Sequence, residues 1–218
     1  MKIDTDESLA AKLEGVADAA LLHEAMGKRG ALNHDIKPVY PGAKLFGRAL
    51  TVRCRPGDNL MLHLALNAAE RGDVLVATTD GFLEGGAWGD LASLAAQLRG
   101  VNGLVFDGAV RDVDSIARME FPVFARGISI KGTTKRLKGE LNQPISIGGI
   151  GVNPGDIVVG DTGGVVVVPA AEVDEVVAKA HGILAREEEI REKLRNGAST
   201  LDLLGLRPVI KELGLDRE

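Results

Sequence analysis

Two short apolar runs constrain this chain more than any other feature. Residues 73–78 (Asp-Val-Leu-Val-Ala-Thr) and 101–106 (Val-Asn-Gly-Leu-Val-Phe) show no strict apolar/polar alternation. A strand with one wet face alternates; a strand covered on both faces is continuously apolar, the habit of parallel sheets. A helical pattern lies between the runs. Asp90 reads as an N-cap, Leu91, Leu94, Ala95 and Leu98 share one stripe, and Gly100 ends it. A helix between two buried strands is a parallel βαβ unit. On its N-terminal side, a half-buried strand over 47–54 (Ala49, Leu50 and Val52 inward) leads into a helix capped by Asn59. That helix runs through Glu70, with Leu60 and Leu64 on successive turns. On its C-terminal side, a Gly108 turn precedes a short helix over 112–119.

The flanks differ in character. The first thirty residues read as helices over 6–13 and 16–27, broken by Gly15 and closed by Gly27 and Gly30, followed by a loop at Pro38, Pro41 and Gly42. Residues 122–130, 144–147 and 157–168 are β-rich, with a hairpin turn at Asp161-Thr162-Gly163-Gly164 and another turn at Pro154-Gly155-Asp156. A long helix is expected over 171–194, carrying Glu187-Glu188-Glu189. The tail beyond holds Leu201, Leu203, Leu204, Leu206, Val209, Ile210, Leu213 and Leu215. So much apolar surface on an extension predicts packing against a neighbouring subunit.

Composition narrows the class. A chain of 218 residues can fill one core, and nothing marks a second domain, so 1–218 is read as one unit. The net charge of −5 argues against a nucleic-acid surface. A single cysteine, Cys54, permits no internal disulfide and suits a reducing compartment. The N-terminal Met-Lys-Ile-Asp-Thr-Asp-Glu is too acidic and polar for a signal peptide, and no apolar run reaches membrane-spanning length. The expectation is a soluble cytoplasmic protein.

Chemistry is concentrated in one spacing: Asp90, twenty intervening residues, then Arg111-Asp112. A helix of ten residues covers about 15 Å, and a strand of six or seven returns about 20 Å. The chain therefore leaves from Asp90 and comes back to Arg111 and Asp112, at the strand ends where parallel α/β proteins bind ligands. The amides of Gly89, Asp90, Leu91 and Ala92, free at a helix start, can cradle a carboxylate. A magnesium-like ion needs only one or two protein carboxylates, and Asp112 as ligand with Asp90 holding a coordinated water meets that need. Arg111 offers a planar fork of donors for a carboxylate or an enolate oxygen. The plainer alternatives are that Asp90 is only a cap and that Arg111-Asp112 is a solvated helix start.

Other residues carry less. His23, His34, His63 and His181 lack metal-ligand spacing. Cys54 reads as a buried structural thiol. Gly148-Gly149-Ile150-Gly151 lacks the third glycine and the helix of a dinucleotide fingerprint, and there is no phosphate-binding Gly-Lys-Ser/Thr loop. Trp88 either walls the pocket or fills core.

The chain resembles the RraA-like family, and within it the class II 4-hydroxy-4-methyl-2-oxoglutarate / 4-carboxy-4-hydroxy-2-oxoadipate aldolases. The resemblance is carried by His23-Glu24-Ala25-Met26-Gly27-Lys28-Arg29-Gly30, by Pro41-Gly42 to Ala49-Leu50-Thr51-Val52, by Gly72-Asp73-Val74-Leu75-Val76 and by the Gly89-Asp90-Leu91 to Arg111-Asp112 block. Phe121-Pro122-Val123-Phe124-Ala125-Arg126 and the stretch from Pro154-Gly155-Asp156 to Pro169 complete it. It implies a swivelling β/β/α fold: a single α/β domain with a core over about 18–170, N-terminal helices and a long C-terminal helical extension, 171–218. It also implies a homotrimer or homohexamer with the site at a subunit boundary. The implied activity is Mg²⁺- or Mn²⁺-dependent cleavage of 4-hydroxy-2-oxo acids to pyruvate plus pyruvate or oxaloacetate, with oxaloacetate decarboxylation beside it. By position, Asp112 would ligate the metal, Asp90 contact it through water, Arg111 stabilise the pyruvate enolate, and the Gly89, Asp90, Leu91 and Ala92 amides hold the substrate carboxylate. Glu187, Glu188 or Glu189 of a neighbouring subunit would complete the site. The alternative is an RraA-type regulator that binds and inhibits ribonuclease E without catalysis.

Overall fold

The computed structural model describes residues 6–215, with side chains from Ser8 onward. Most of the N-terminal segment behind the signal-peptide argument (1–5), and the last three residues of the C-terminal extension, lie outside the described residues.

The chain opens with α1 (Asp6–Leu13), α2 (Ala19–Ala25) and the two-residue β1 (Lys37–Pro38). Three crossovers then build a parallel sheet: β2 (Leu45–Arg53) through α3 (Leu60–Ala68) to β3 (Asp73–Thr78), onward through β4 (Gly86–Trp88) and α4 (Asp90–Leu98) to β5 (Gly103–Val110), and through α5 (Val113–Arg118) to β6 (Val123–Ile128). The small β7 (Glu140–Leu141) precedes two antiparallel hairpins, β8 (Ile145–Ile147) with β9 (Ile150–Val152) and β10 (Ile157–Asp161) with β11 (Gly164–Val168). The long α6 (Val173–Arg195) and the short α7 (Thr200–Leu203) and α8 (Arg207–Glu212) end it.

The main sheet runs β1-β6-β5-β3-β2-β10-β11, and its two ends approach each other. Residues 30–32 lie along the outer edge of β11: the Leu32 amide donates to the Val165 carbonyl and the Val167 amide to the Gly30 carbonyl, both at 2.9 Å. The same segment continues into β1 on the far edge, so one strap nearly closes the sheet into a barrel. Gly30 permits the approach, because a Cβ there would lie 2.4 Å from the Val167 carbonyl oxygen and its φ is +78°.

Three apolar layers follow. The barrel interior holds Leu45, Ala49, Val74, Val76, Val105, Phe124, Val158, Val165 and Val167, plugged by Ile145, Ile147 and Val152 of the β8–β9 hairpin. Outside one wall, α3, α4 and α5 bury Met61, Leu62, Ala65, Ala96 and Ile116 with Trp88 and Phe121. Outside the opposite wall, α1, α2 and the first half of α6 pack on β10 and β11 through Leu9, Leu13, Leu22, Val173, Val176 and Ala180. No helix among the described residues is long and apolar enough to cross a membrane.

Several expectations are corrected. The leucines of the expected α4 stripe face outward: Leu91 and Leu98 are 77% and 78% exposed and Leu94 is exposed, whereas Ala95 is partly buried against the core and the fully buried face is Ser93 and Ala96. On α3, Leu60 and Leu64 are likewise exposed while Met61, Leu62, Ala65 and Leu66 are buried. Both helices carry apolar residues on two faces, and the sequence pattern does not say which face meets the chain's own sheet. Asp90 is the first residue of α4 rather than its cap, a place taken by Gly89. Asn59 does hold the N-cap position of α3, but its side chain makes no capping hydrogen bond; Asp58 Oδ1 accepts from the Leu60 amide instead. The strand expected over 101–106 begins at Gly103 and continues to Val110. β2, expected half-buried, is mostly buried on both faces, because the barrel interior covers the side that the helices do not. The first half of α6 packs on the chain's own core, while Leu204, Leu206, Val209, Leu213 and Leu215 of the tail beyond it are exposed.

Candidate active site

Asp90, Arg111 and Asp112 come together where β4 passes into α4 and β5 into α5. Trp88 fixes the first junction. It is fully buried, stacks on Phe121 with ring centroids 6.3 Å apart, and its indole N–H donates to Ser93 Oγ at 2.7 Å. Ser93 Oγ in turn donates to the Gly89 carbonyl at 3.0 Å, tying the first turn of α4 to the strand before it. Trp88 is therefore core that supports the site. The second junction is held to the first: the Arg111 amide donates to the Trp88 carbonyl at 2.8 Å. Asp112 adopts left-handed backbone, φ 56° and ψ 34°, a conformation that aspartate tolerates better than most residues.

Asp112 Oδ2 is 3.4 Å from Arg111 Nε and accepts from the Asp90 amide at 3.4 Å. Both contacts are long, and the two side chains are 45% and 38% exposed. The Asp90 carboxylate accepts from the Leu91 amide at 2.7 Å. Two of the four amides expected to be free are therefore already turned toward the site's own carboxylates. Gly89 roofs the trio: a Cβ there would lie 2.4 Å from Asp112 Oδ2 and 3.0 Å from Arg111 Nε. The result is an oxygen-rich notch, open to solvent, beside a guanidinium and a helix N-terminus.

The donor set fits a hard divalent cation that keeps most of its own waters, with Asp112 and Asp90 as the carboxylates able to hold it. No group of three His, Cys, Asp or Glu side chains suited to a metal occurs among the described residues. The histidines thus form no alternative centre, and Cys54 is buried, its thiol pushed up to about 12 by burial.

Sequence reasoning missed the residues that frame the notch. Asn59, read as a cap, donates its side-chain amide to the Ala87 carbonyl at 2.8 Å and so holds β4, while its Oδ1 is buried without a partner. The stretch after β6 runs beside β4: the Gly86 amide donates to the Lys131 carbonyl at 2.9 Å, and a Cβ on Gly86 would meet the Ser129 carbonyl and the Arg111 Cβ. Lys131 also pairs with Glu84, holding that exposed carboxyl below its ordinary range. In the sequence, only the Gly85-Gly86 pair hinted at such close backbone packing.

Comparison with known proteins places this chain in a family. The sequence profile of the RraA-like family, described as Aldolase/RraA, matches residues 14–167. A Halalkalibacterium halodurans protein named "Putative 4-hydroxy-4-methyl-2-oxoglutarate aldolase" is 33% identical over 182 residues, 84% of each chain. A crystal structure of an uncharacterized protein from Pseudomonas syringae pv. tomato superposes with a TM-score of 0.81 at 30% identity, over 93% of this chain and 95% of that one. Streptomyces coelicolor RraAS2, described as an unusual member of the RNase ES inhibitor RraA protein family, superposes with a TM-score of 0.74 at 28% identity, over 85% of this chain and 97% of its own. The chain belongs to the RraA-like family.

Proposed function

We propose that this protein is a divalent-metal-dependent class II aldolase. It would cleave 4-hydroxy-2-oxo acids, such as 4-hydroxy-4-methyl-2-oxoglutarate or 4-carboxy-4-hydroxy-2-oxoadipate, to pyruvate plus pyruvate or oxaloacetate, and would decarboxylate oxaloacetate. The observation that carries the reading is the Arg111–Asp112 junction under Gly89, a guanidinium and a loosely held carboxylate at one solvent-open helix start.

In the retro-aldol step the 4-hydroxyl loses its proton, the C3–C4 bond breaks, and its electrons pass to the 2-oxo oxygen before C3 is reprotonated. Negative charge grows on that oxygen, and Arg111 is placed to donate to it, an interaction stronger in the transition state than in the ground state. The start of α4, with its N–H groups and positive dipole end, suits the substrate's C1 carboxylate. A divalent cation held at Asp112 would supply Lewis-acid polarisation of the 2-oxo group. Asp90, with one oxygen on the Leu91 amide, keeps the other to orient a water.

The exposed Leu91, Leu94 and Leu98, along the helix that starts at this notch, support a homo-oligomer whose neighbour covers the site. Of the three candidate acids, Glu187 and Glu188 pair with Arg191 and Arg195 on their own helix, whereas Glu189 is exposed with no ion pair among the described residues. Glu189 is therefore the favoured contribution from a neighbour. The test is pyruvate release from oxaloacetate and from both 4-hydroxy-2-oxo acids, with Mg²⁺ or EDTA. Turnover that ignores EDTA, or none on any oxo acid, overturns the reading.

The likeness to an RNase E-type inhibitor favours a second reading, a non-catalytic regulator that binds a ribonuclease. Co-purification with ribonuclease E, together with inhibition of RNA cleavage by a chain inert toward oxo acids, would select it.

A further inference from the structure

The sheet is irregular at one place next to the candidate site. β5 pairs with β6 as Phe106↔Ala125 and next as Ala109↔Gly127, so three steps on β5 match two on β6. The extra residue lies at Asp107-Gly108. Such a bulge displaces everything beyond it by one place along the ladder, and Arg111 and Asp112 follow after only two more paired residues, Ala109 and Val110. β3 ends its pairing at this point, Thr78↔Asp107, and β4 takes over at Ala109.

The bulge is pinned from several sides. The Thr79 amide and hydroxyl both donate to the Asp107 carbonyl, at 3.3 and 3.1 Å. The Asp107 side chain, 9% exposed, meets Arg126 Nη1 at 2.9 Å and accepts from the Thr78 hydroxyl at 3.4 Å. Arg126 Nε lies 2.9 Å from Asp35 on the strap that closes the barrel. A Cβ on Gly108 would lie 2.5 Å from the Phe106 ring and 2.7 Å from Thr79 Oγ1, and a Cβ on Gly81 would lie 2.8 Å from Arg126 Nη1.

The pair is poorly suited to adding stability. Asp107 Oδ1 and Arg126 Nε are buried without a well-directed hydrogen bond, so the attraction is Coulombic. Burial pushes the Asp107 carboxyl above its ordinary range despite Arg126. Desolvation of such pairs often cancels their attraction, which leaves geometry as the role that explains this one.

We propose that Asp107 and Arg126 are positioning residues: their largely buried pair holds the β5 bulge that delivers Arg111 and Asp112 beneath Gly89. The inference rests on Arg111–Asp112 being the reacting pair, so its test needs a readout that does not depend on turnover. Asp107→Asn, Arg126→Gln and the conservative Arg126→Lys are compared by oxaloacetate decarboxylation and by hydrogen exchange at the Arg111 amide, which donates to Trp88.

Asp107→Asn and Arg126→Gln should lower kcat about 30-fold or more with KM within about threefold, as for a reacting group displaced by a fraction of an ångström. The same variants should speed Arg111 exchange about tenfold while Val105, before the bulge, stays protected. Arg126→Lys should recover kcat to within about fivefold, since it keeps the charge. A uniform loss of stability without a change in kcat or in Arg111 exchange overturns the proposal. If the wild type turns over no oxo acid, the aldolase reading falls and the exchange arm still decides the bulge. Should Asp107→Asn fail to fold, Thr79→Val, which removes the hydroxyl's contacts with the Asp107 and Phe82 carbonyls and leaves the Thr79 amide on Asp107, must still speed Arg111 exchange about threefold; unchanged exchange there also overturns it.

Discussion

Replacing Gly89 by alanine tests the site with a single added methyl group. The backbone at Gly89 is extended, φ −149° and ψ −166°, so alanine fits without strain. The cost falls on what the new Cβ meets: Asp112 Oδ2 at 2.4 Å, Arg111 Nε at 3.0 Å and Arg111 Cγ at 3.1 Å. An ordinary van der Waals contact is roughly 3.5 Å, so the carboxylate must retreat by about 1 Å. Both side chains are more than a third exposed and can swing into water, so the loss of stability should stay below about 1 kcal/mol, a Tm shift within about 4 °C. A 1 Å misplacement of reacting groups can lower kcat about 100-fold, equivalent to about 2.7 kcal/mol in the barrier. The assay is pyruvate release from oxaloacetate with Mg²⁺, beside calorimetric melting. Gly132→Ala, whose Cβ would meet nothing within 4 Å, is the control and should be neutral in both. A Gly89→Ala protein with wild-type kcat would refute the placement of the chemistry. A Tm fall beyond about 10 °C would show instead that the notch is structural.

Arg111→Ala should lower kcat by about 100-fold with little change in KM, the signature of a contact made chiefly in the transition state; an unchanged kcat removes the enolate role. Asp58 is buried and accepts from the Leu60, Arg136 and Leu137 amides and the Thr134 hydroxyl. Burial alone would raise its carboxyl, but these four bonds together hold it below the ordinary range. The stability it contributes is therefore present above the unfolded value of about 3.9 and is lost as pH falls through the lower folded value. Asp58→Asn should cost about 2–3 kcal/mol in urea unfolding at pH 7, with a smaller gap to wild type near pH 2; a gap independent of pH contradicts the account. Leu91→Glu with Leu98→Glu should reduce the mass measured by light scattering to that of the protomer with secondary structure intact. An unchanged mass would show that α4 is not the contact.

The parallel unit was legible because residues 73–78 form a short, continuously apolar run of the kind a strand buried on both faces shows, and β3 spans those residues. The meeting of Asp90 with Arg111-Asp112 was legible for the same reason: counting a helix out and a strand back needs only element lengths. What stayed hidden depends on partners that periodicity does not encode. The outward leucines of α3 and α4 have the same pattern as inward ones. β4 is three residues long beside two glycines and reads as loop. Asn59 looks like a cap in sequence, and only the position of Ala87 shows that it braces a strand. Asp107 and Arg126 are ordinary charges nineteen positions apart until the β5–β6 register brings them together.

The strap over residues 30–38 leaves the main sheet with little free ladder. Its segment 30–32 occupies the outer edge of β11, and β1 occupies that of β6. An extended peptide, or a strand from another molecule, therefore finds few unpaired amides and carbonyls at either end of this sheet to join. The exposed leucines of α4 offer a side-chain surface for contact between copies that needs no free ladder. Concentrated solutions should then resist fibril growth by strand addition, even though Val165–Val168 is an uninterrupted run of valine of the kind that seeds it.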